Sequence, residues 1–156
     1  MWTVKKSTVT PKKSPLILKK SFVIHENIVN SGQEITFNFM ETITLYRPTG
    51  TKELALIEAS GFTAFPPRLP EQPIFYPVTN EEYAAQIARD WNAKHNADKV
   101  GYVTRFEVRK EFLDNYETKI VGGANHEEYW IPAEDLEEFN RNIVGKIEVI
   151  AEFRGM

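Results

Sequence analysis

The run Ile35-Thr36-Phe37-Asn38-Phe39-Met40-Glu41-Thr42-Ile43-Thr44-Leu45-Tyr46-Arg47 decides how the chain is read. Apolar residues recur at alternate positions (Ile35, Phe37, Phe39, Ile43, Leu45), while Thr36, Asn38, Thr42 and Thr44 fill the other parity. Successive side chains of an extended chain point to opposite faces, so the pattern predicts a half-buried strand. The run reads as one strand or as two broken near Met40-Glu41. Arg47 keeps the parity of Ile43 and Leu45. A guanidinium at the end of an inward row either snorkels to water or reaches a buried anion.

Upstream of this run, Phe22-Val23-Ile24 and Ile28-Val29 are apolar enough for another strand, and Asn30-Ser31-Gly32 reads as a turn. Residues 1–20 carry the lysine pairs Lys5-Lys6, Lys12-Lys13 and Lys19-Lys20 with Pro11 and Pro15. The prolines argue against a continuous helix, and the segment reads as a basic N-terminal arm. Such an arm is either solvated or docked on an acidic surface. Residues 21–156 then form a single domain.

Downstream, Pro48-Thr49-Gly50 ends the strand, and Thr51 to Ser60 reads as a short helix with Leu54 and Ile57 inward and Gly61 as its stop. The stretch from Phe62 to Pro77 holds five prolines and reads as a stiff surface loop, a candidate wall of a site. Ile74-Phe75-Tyr76 is a short strand. Thr79 and Glu82 have capping-box spacing for a helix whose inward stripe is Tyr83, Ala84, Ile87, Ala88 and Trp91. Tyr102 to Val108 alternates as a strand, and Phe112, Leu113 and Tyr116 mark a helical turn. Ala133 to Asn142 reads as a helix closed by Gly145. Ile147, Val149, Ala151 and Phe153 form a last alternating strand. Strands with a few short helices make the class α+β.

Length and composition bound the rest. At 156 residues, 42% hydrophobic and 26% charged, the chain has the make-up of one globular domain. The first 25 residues hold six lysines and no acid, leaving 13 basic against 22 acidic residues in the body. An acidic body argues against nucleic acid as a partner. There is no apolar run near the ~20 residues of a membrane span and no secretory signal. The absence of cysteine excludes disulfides and thiolate metal sites, and cytoplasmic residence is the expectation. The three histidines are too far apart in sequence for a local metal motif, so no metal is expected.

Chemistry concentrates in Gly122-Gly123-Ala124-Asn125-His126-Glu127-Glu128-Tyr129-Trp130-Ile131-Pro132. A glycine turn runs into a short strand that Pro132 is expected to halt. Alternation puts His126 and Glu128 on one face, with Glu127 and Tyr129 on the other. One carboxylate is therefore aimed away from open solvent. No phosphate-cradling glycine loop and no nucleophile-elbow serine is present. Carboxylate, arginine, tyrosine, threonine and histidine remain, a set suited to chemistry at a sugar carbon.

His126-Glu127-Glu128 followed by Tyr129-Trp130-Ile131-Pro132 resembles the Glu-x-Glu signature of ADP-ribosyltransferases. Leu45-Tyr46-Arg47, leading into a small helix, resembles their first motif, and Phe75-Tyr76-Pro77-Val78-Thr79 is similar to their middle one. From Leu45 to Phe153 the chain also resembles small bacterial proteins that carry the label "ADP-ribosylation/crystallin J1". The resemblance implies split antiparallel β-sheets with short helices, and transfer of ADP-ribose from NAD, as substrate, to an unknown acceptor of protein type. It gives Glu128 the catalytic role, Arg47 with Tyr46 the pyrophosphate or ribose, and Tyr76 and Thr79 the nicotinamide side. His126 stands where that family usually has an acidic residue or glutamine activating the acceptor, and the usual Ser-Thr-Ser of the middle motif is missing. Three alternatives stay open: an inactive binding protein that keeps the fold, an internal ion pair between Glu128 and Arg47, and a sugar or nucleotide hydrolase built on His126 and Glu128.

Overall fold

The computed structural model describes residues 20–28 and 35–156, with side chains described from residue 40 onward. The alternating run is one strand, β2 (Ile35–Thr49). Of the two alternatives, one strand or two broken at Met40-Glu41, the structure has the first. Glu41 interrupts the apolar parity but not the ladder, because β1 (Lys20–Ile28) pairs with β2 through this point. From Thr42 onward the other edge of β2 pairs with β4 (Val100–Arg109). Residues 1–19 of the expected basic arm, and the Asn30-Ser31-Gly32 turn, lie outside the described residues; Lys20 already belongs to β1.

With β8 (Ile143–Arg154), these strands form an antiparallel sheet in the order β1-β2-β4-β8. Two short antiparallel pairs complete the strands: β3 (Ile74–Phe75) with β7 (Ile131–Pro132), and β5 (Thr118–Ile120) with β6 (Glu127–Tyr129). Antiparallel sheets with interspersed helices make the protein α+β.

On one face of the main sheet, Leu45, Phe106 and Val108 meet Ile57 of α1 (Thr51–Ala59), Leu136 and Phe139 of α5 (Leu136–Arg141), and Phe112 and Leu113 of α4 (Lys110–Leu113). The proline-dense segment does more than cross the surface. Phe65 and Phe75 are 2% and 1% exposed and sit 5.0 Å apart, with Phe65 4.8 Å from Phe106. The prolines stiffen a loop whose aromatic residues have too much apolar surface to leave in water.

The opposite face carries Val103 against Val78, Ala84 and Ala88. Here α2 (Glu81–Ile87) runs into a π-helical turn at Ala88–Asn92 and then α3 (Ala93–His95). Gly101 makes this close contact possible: a Cβ there would lie 2.3 Å from the Ala88 carbonyl oxygen. Trp91, expected inward, is 62% exposed. The wider π turn rotates it off the apolar stripe set by Ala84 and Ala88.

Two expectations near the C-terminus are also corrected. Helix α5 ends at Arg141, and Gly145 lies inside β8 at φ +78 rather than closing the helix. Register shifts between Val103 and Thr104, and between Arg105 and Glu107, break the strict alternation of β8. Ile147 therefore packs on the first core cluster while Ala151 and Phe153 pack on the second.

Candidate functional site

The site forms where the edge of β2 outlasts β1. Pairing with β1 stops at Ile43, leaving the Tyr46 backbone free to exchange two hydrogen bonds with Val78 (2.9 and 2.8 Å). Val78 in turn faces Glu128: Thr79 N–H donates to the Glu127 carbonyl (3.0 Å), and Tyr129 N–H to the Pro77 carbonyl (2.9 Å). Pro77-Val78-Thr79 is thus a backbone tie between β2 and β6. Pro48 can follow because its backbone nitrogen, two residues from Tyr46, points to the same side beyond the tie and is not needed as a donor.

Beside this tie lies a cavity of about 390 Å³, within the range of small-molecule sites. Arg47, Tyr76, Glu128 and Trp130 line it from the strands and their connections; Ile87, Trp91 and Asn92 close it from the helical layer, with Pro48 and Val78 between. Arg47, Tyr76 and Glu128, the three residues expected to meet, share this cavity.

They do not pair with one another. The Arg47 guanidinium forms a fork with Glu53 in the first turn of α1, Nε to Oε2 at 2.5 Å and Nη2 to Oε1 at 2.8 Å. Its Nη1 donates to the Tyr76 carbonyl at 3.4 Å, and its Cζ lies 4.6 Å from the centre of the Phe75 ring. Arg68 approaches the same cluster; burial, and then the nearby Arg47 charge, push its guanidinium below its ordinary pKa.

Glu128 is 9% exposed and has no ion-pair partner among the described residues. Trp130 Nε1–H donates to Oε1 at 2.8 Å, and the Tyr83 hydroxyl donates to Oε2 at 3.4 Å. Burial, followed by the Glu128 charge, raises the Tyr83 pKa, which keeps that hydroxyl a donor. Glu127 faces the other way, as alternation requires, and accepts from Thr79 (2.9 Å) and Thr118 (2.8 Å) hydroxyls.

The remaining expected residues lie around rather than on the cavity lining. Thr79 is committed to Glu127. Tyr46 packs with the second core cluster, its pKa raised by burial and then by Glu81. His126 stacks on Tyr83, with ring centres 4.1 Å apart and planes 11° from parallel. Its Nδ1 sits 3.1 Å from Gly123 N and 3.2 Å from the Val121 carbonyl. Protonated, this nitrogen donates to Val121; bare, it accepts from Gly123.

Sequence reasoning missed Glu53, Tyr83, Trp130, Trp91 and Asn92 as neighbours of the site. Glu53 had a signal, an acid in a helix first turn six residues after Arg47. The others needed the tie through Val78, which no local pattern reveals. Asn92 borders the cavity, while its Oδ1 is buried and has no hydrogen-bond partner among the described residues.

Among the described residues, no group of three or more histidine, aspartate or glutamate side chains is gathered for a metal ion, and no helix is long and apolar enough to cross a membrane. Comparison with known proteins gives no match to a family model, a curated protein or a solved structure.

Proposed function

We propose that the cavity binds NAD and that the chain is an ADP-ribosyltransferase-like domain, passing ADP-ribose to an acceptor of protein type. The observation that carries this reading is Glu128: a buried carboxylate held by two neutral donors, opening into a cavity shared with Arg47 and Tyr76. In this reading Glu128 accepts a hydrogen bond from a ribose hydroxyl. It then stabilises the oxocarbenium-like charge that develops as the C–N bond to nicotinamide breaks and the bonding electrons leave with the ring. The acceptor's nucleophilic atom attacks the sugar carbon and releases its proton to water.

Trp130 and Tyr83 fix the carboxylate, so its orientation is set before substrate arrives. Arg47 Nη1 is the least committed donor of its guanidinium and the one left for a phosphate oxygen. His126 acts on Glu128 through Tyr83 rather than on the acceptor directly.

The test is nicotinamide release and transfer of labelled ADP-ribose from NAD by the purified protein. The Glu128→Gln variant is expected to lose about 10²-fold or more, the scale of removing one electrostatic stabiliser. Equal signals from both proteins would remove the reading.

A second reading, a non-enzymatic binding protein of the same fold, is favoured by the Arg47–Glu53 fork, which already satisfies most of the guanidinium. NAD binding by calorimetry, weakened in Arg47→Ala, decides against it.

A further inference from the structure

We infer that the Glu128 cavity is a receptor for a compact organic cation, whatever larger molecule carries it. Three observations converge. First, the carboxylate is 9% exposed and, among the described residues, is met only by the neutral donors Trp130 Nε1–H and Tyr83 O–H. Lys119, the cross-strand neighbour of Glu128, lies over the Trp130 ring and makes no ion pair with the carboxylate, and a buried charge left without a contacting counter-charge is costly, so a ligand's positive charge would be favoured there. Second, Arg47, the cation on the lining among the described residues, cannot fill that role, because it is turned into its fork with Glu53.

Third, the walls beside Glu128 are aromatic. Tyr76 and Trp130 meet at 90° with ring centres 5.7 Å apart, forming a corner that Trp91 extends from the helical layer. Aromatic faces attract cations through their ring quadrupole, most strongly when water is excluded. Trp130 already makes such a contact: Lys119 Nζ, from the strand paired with β6, lies 5.0 Å from the indole centre, where a ligand cation would compete with it.

A carboxylate at the base of an aromatic corner selects charge carried on carbon-rich groups, such as a pyridinium ring, a guanidinium or a methylated ammonium. It does not select phosphate. This inference stands apart from the NAD reading. If that reading holds, the ring held is the pyridinium; if it fails, the cation arrives on another carrier.

The deciding measurement compares 1-methylnicotinamide with neutral nicotinamide on the wild-type protein by calorimetry, with tetramethylammonium and methylguanidine as competitors. The charged ring is expected to bind at least about tenfold more tightly than its neutral counterpart, with that preference lost in Glu128→Gln. In Lys119→Met, an exposed position, removal of the competing cation should tighten binding about threefold. Equal affinity for the charged and neutral rings, or no binding of any of these cations, would overturn the inference. So would unchanged or weaker cation binding in Lys119→Met. Competition separates carriers: displacement by methylguanidine points to a peptide side chain, and its failure beside tight pyridinium binding points to a dinucleotide. Cation preference without nicotinamide release from NAD retains this inference and removes the enzymatic one. Release without cation preference does the reverse.

Discussion

Arg47 and Glu128 bring opposite charges to one cavity, yet Arg47 pairs with Glu53 and Glu128 is held by the neutral donors Trp130 and Tyr83. Parity along β2 made the inward position of Arg47 readable, and the pattern around Glu128 made its separation from Glu127 readable. Their partners were not readable, since a guanidinium at a strand end can reach any acid within several ångströms. The acid it reaches, Glu53, comes from the helix that Gly50 starts immediately after the strand. Side-chain exposures of 11% and 21% place this pair between a surface bridge and a buried one. Removing its acid in Glu53→Ala leaves the guanidinium desolvated with the Tyr76 carbonyl and the Phe75 ring face. We expect a loss of about 2–3 kcal/mol, below the ~3–5 of a fully buried pair because water still reaches Glu53. A lower urea midpoint with unchanged slope would register it. Arg47→Met, which removes charge and guanidinium together while filling the space, should cost less than Glu53→Ala.

At the scale of elements, a spacing rule can be met by the wrong residue. Thr79 and Glu82 satisfy the capping-box pattern, yet the N-cap of α2 is Asn80, whose Oδ1 accepts from Tyr83 N–H at 3.0 Å. Thr79 is unavailable because its hydroxyl and its N–H both go to Glu127, and that commitment lies 48 residues away in sequence. Gly145 shows the same limit. A glycine after a helical stripe reads as a helix stop, but its positive φ serves an irregularity in β8 opposite Arg105 and Glu107. Both corrections come from long-range pairing overriding a local signal. The cap gives a direct check: Asn80→Ala should cost about 1 kcal/mol. Because α2 presents Tyr83 to Glu128, the same change should loosen the Tyr83–His126 stack, visible as a shift in the His126 ring resonances.

Across the whole molecule, the class α+β followed from the alternation and the short helical stripes. The order β1-β2-β4-β8 and the tie through Val78 depend on pairings between distant segments that composition and period leave open. One consequence of that assembly is collective. Four of the six tyrosines, Tyr46, Tyr83, Tyr116 and Tyr129, have raised pKa values, each chiefly through burial and then through neighbouring carboxylates. Tyr116 is shifted most; its hydroxyl donates to Asp135 at 2.8 Å. The folded chain therefore keeps phenol protons that the unfolded chain releases near the ordinary value of 10.0. Above that pH the native state binds more protons than the unfolded state, so stability falls as pH rises. Below it both states are protonated, and these groups contribute no slope. Urea midpoints should thus be insensitive to the tyrosines between neutrality and about pH 9, then decline steadily above about pH 10. The phenolate absorbance of these four tyrosines should appear above the ordinary phenol value and steepen as the chain unfolds. Tyr116→Phe, which removes the most strongly shifted phenol and its bond to Asp135, should lower the midpoint at neutral pH and flatten the alkaline decline. An equally steep decline in that variant would show that the alkaline loss arises elsewhere.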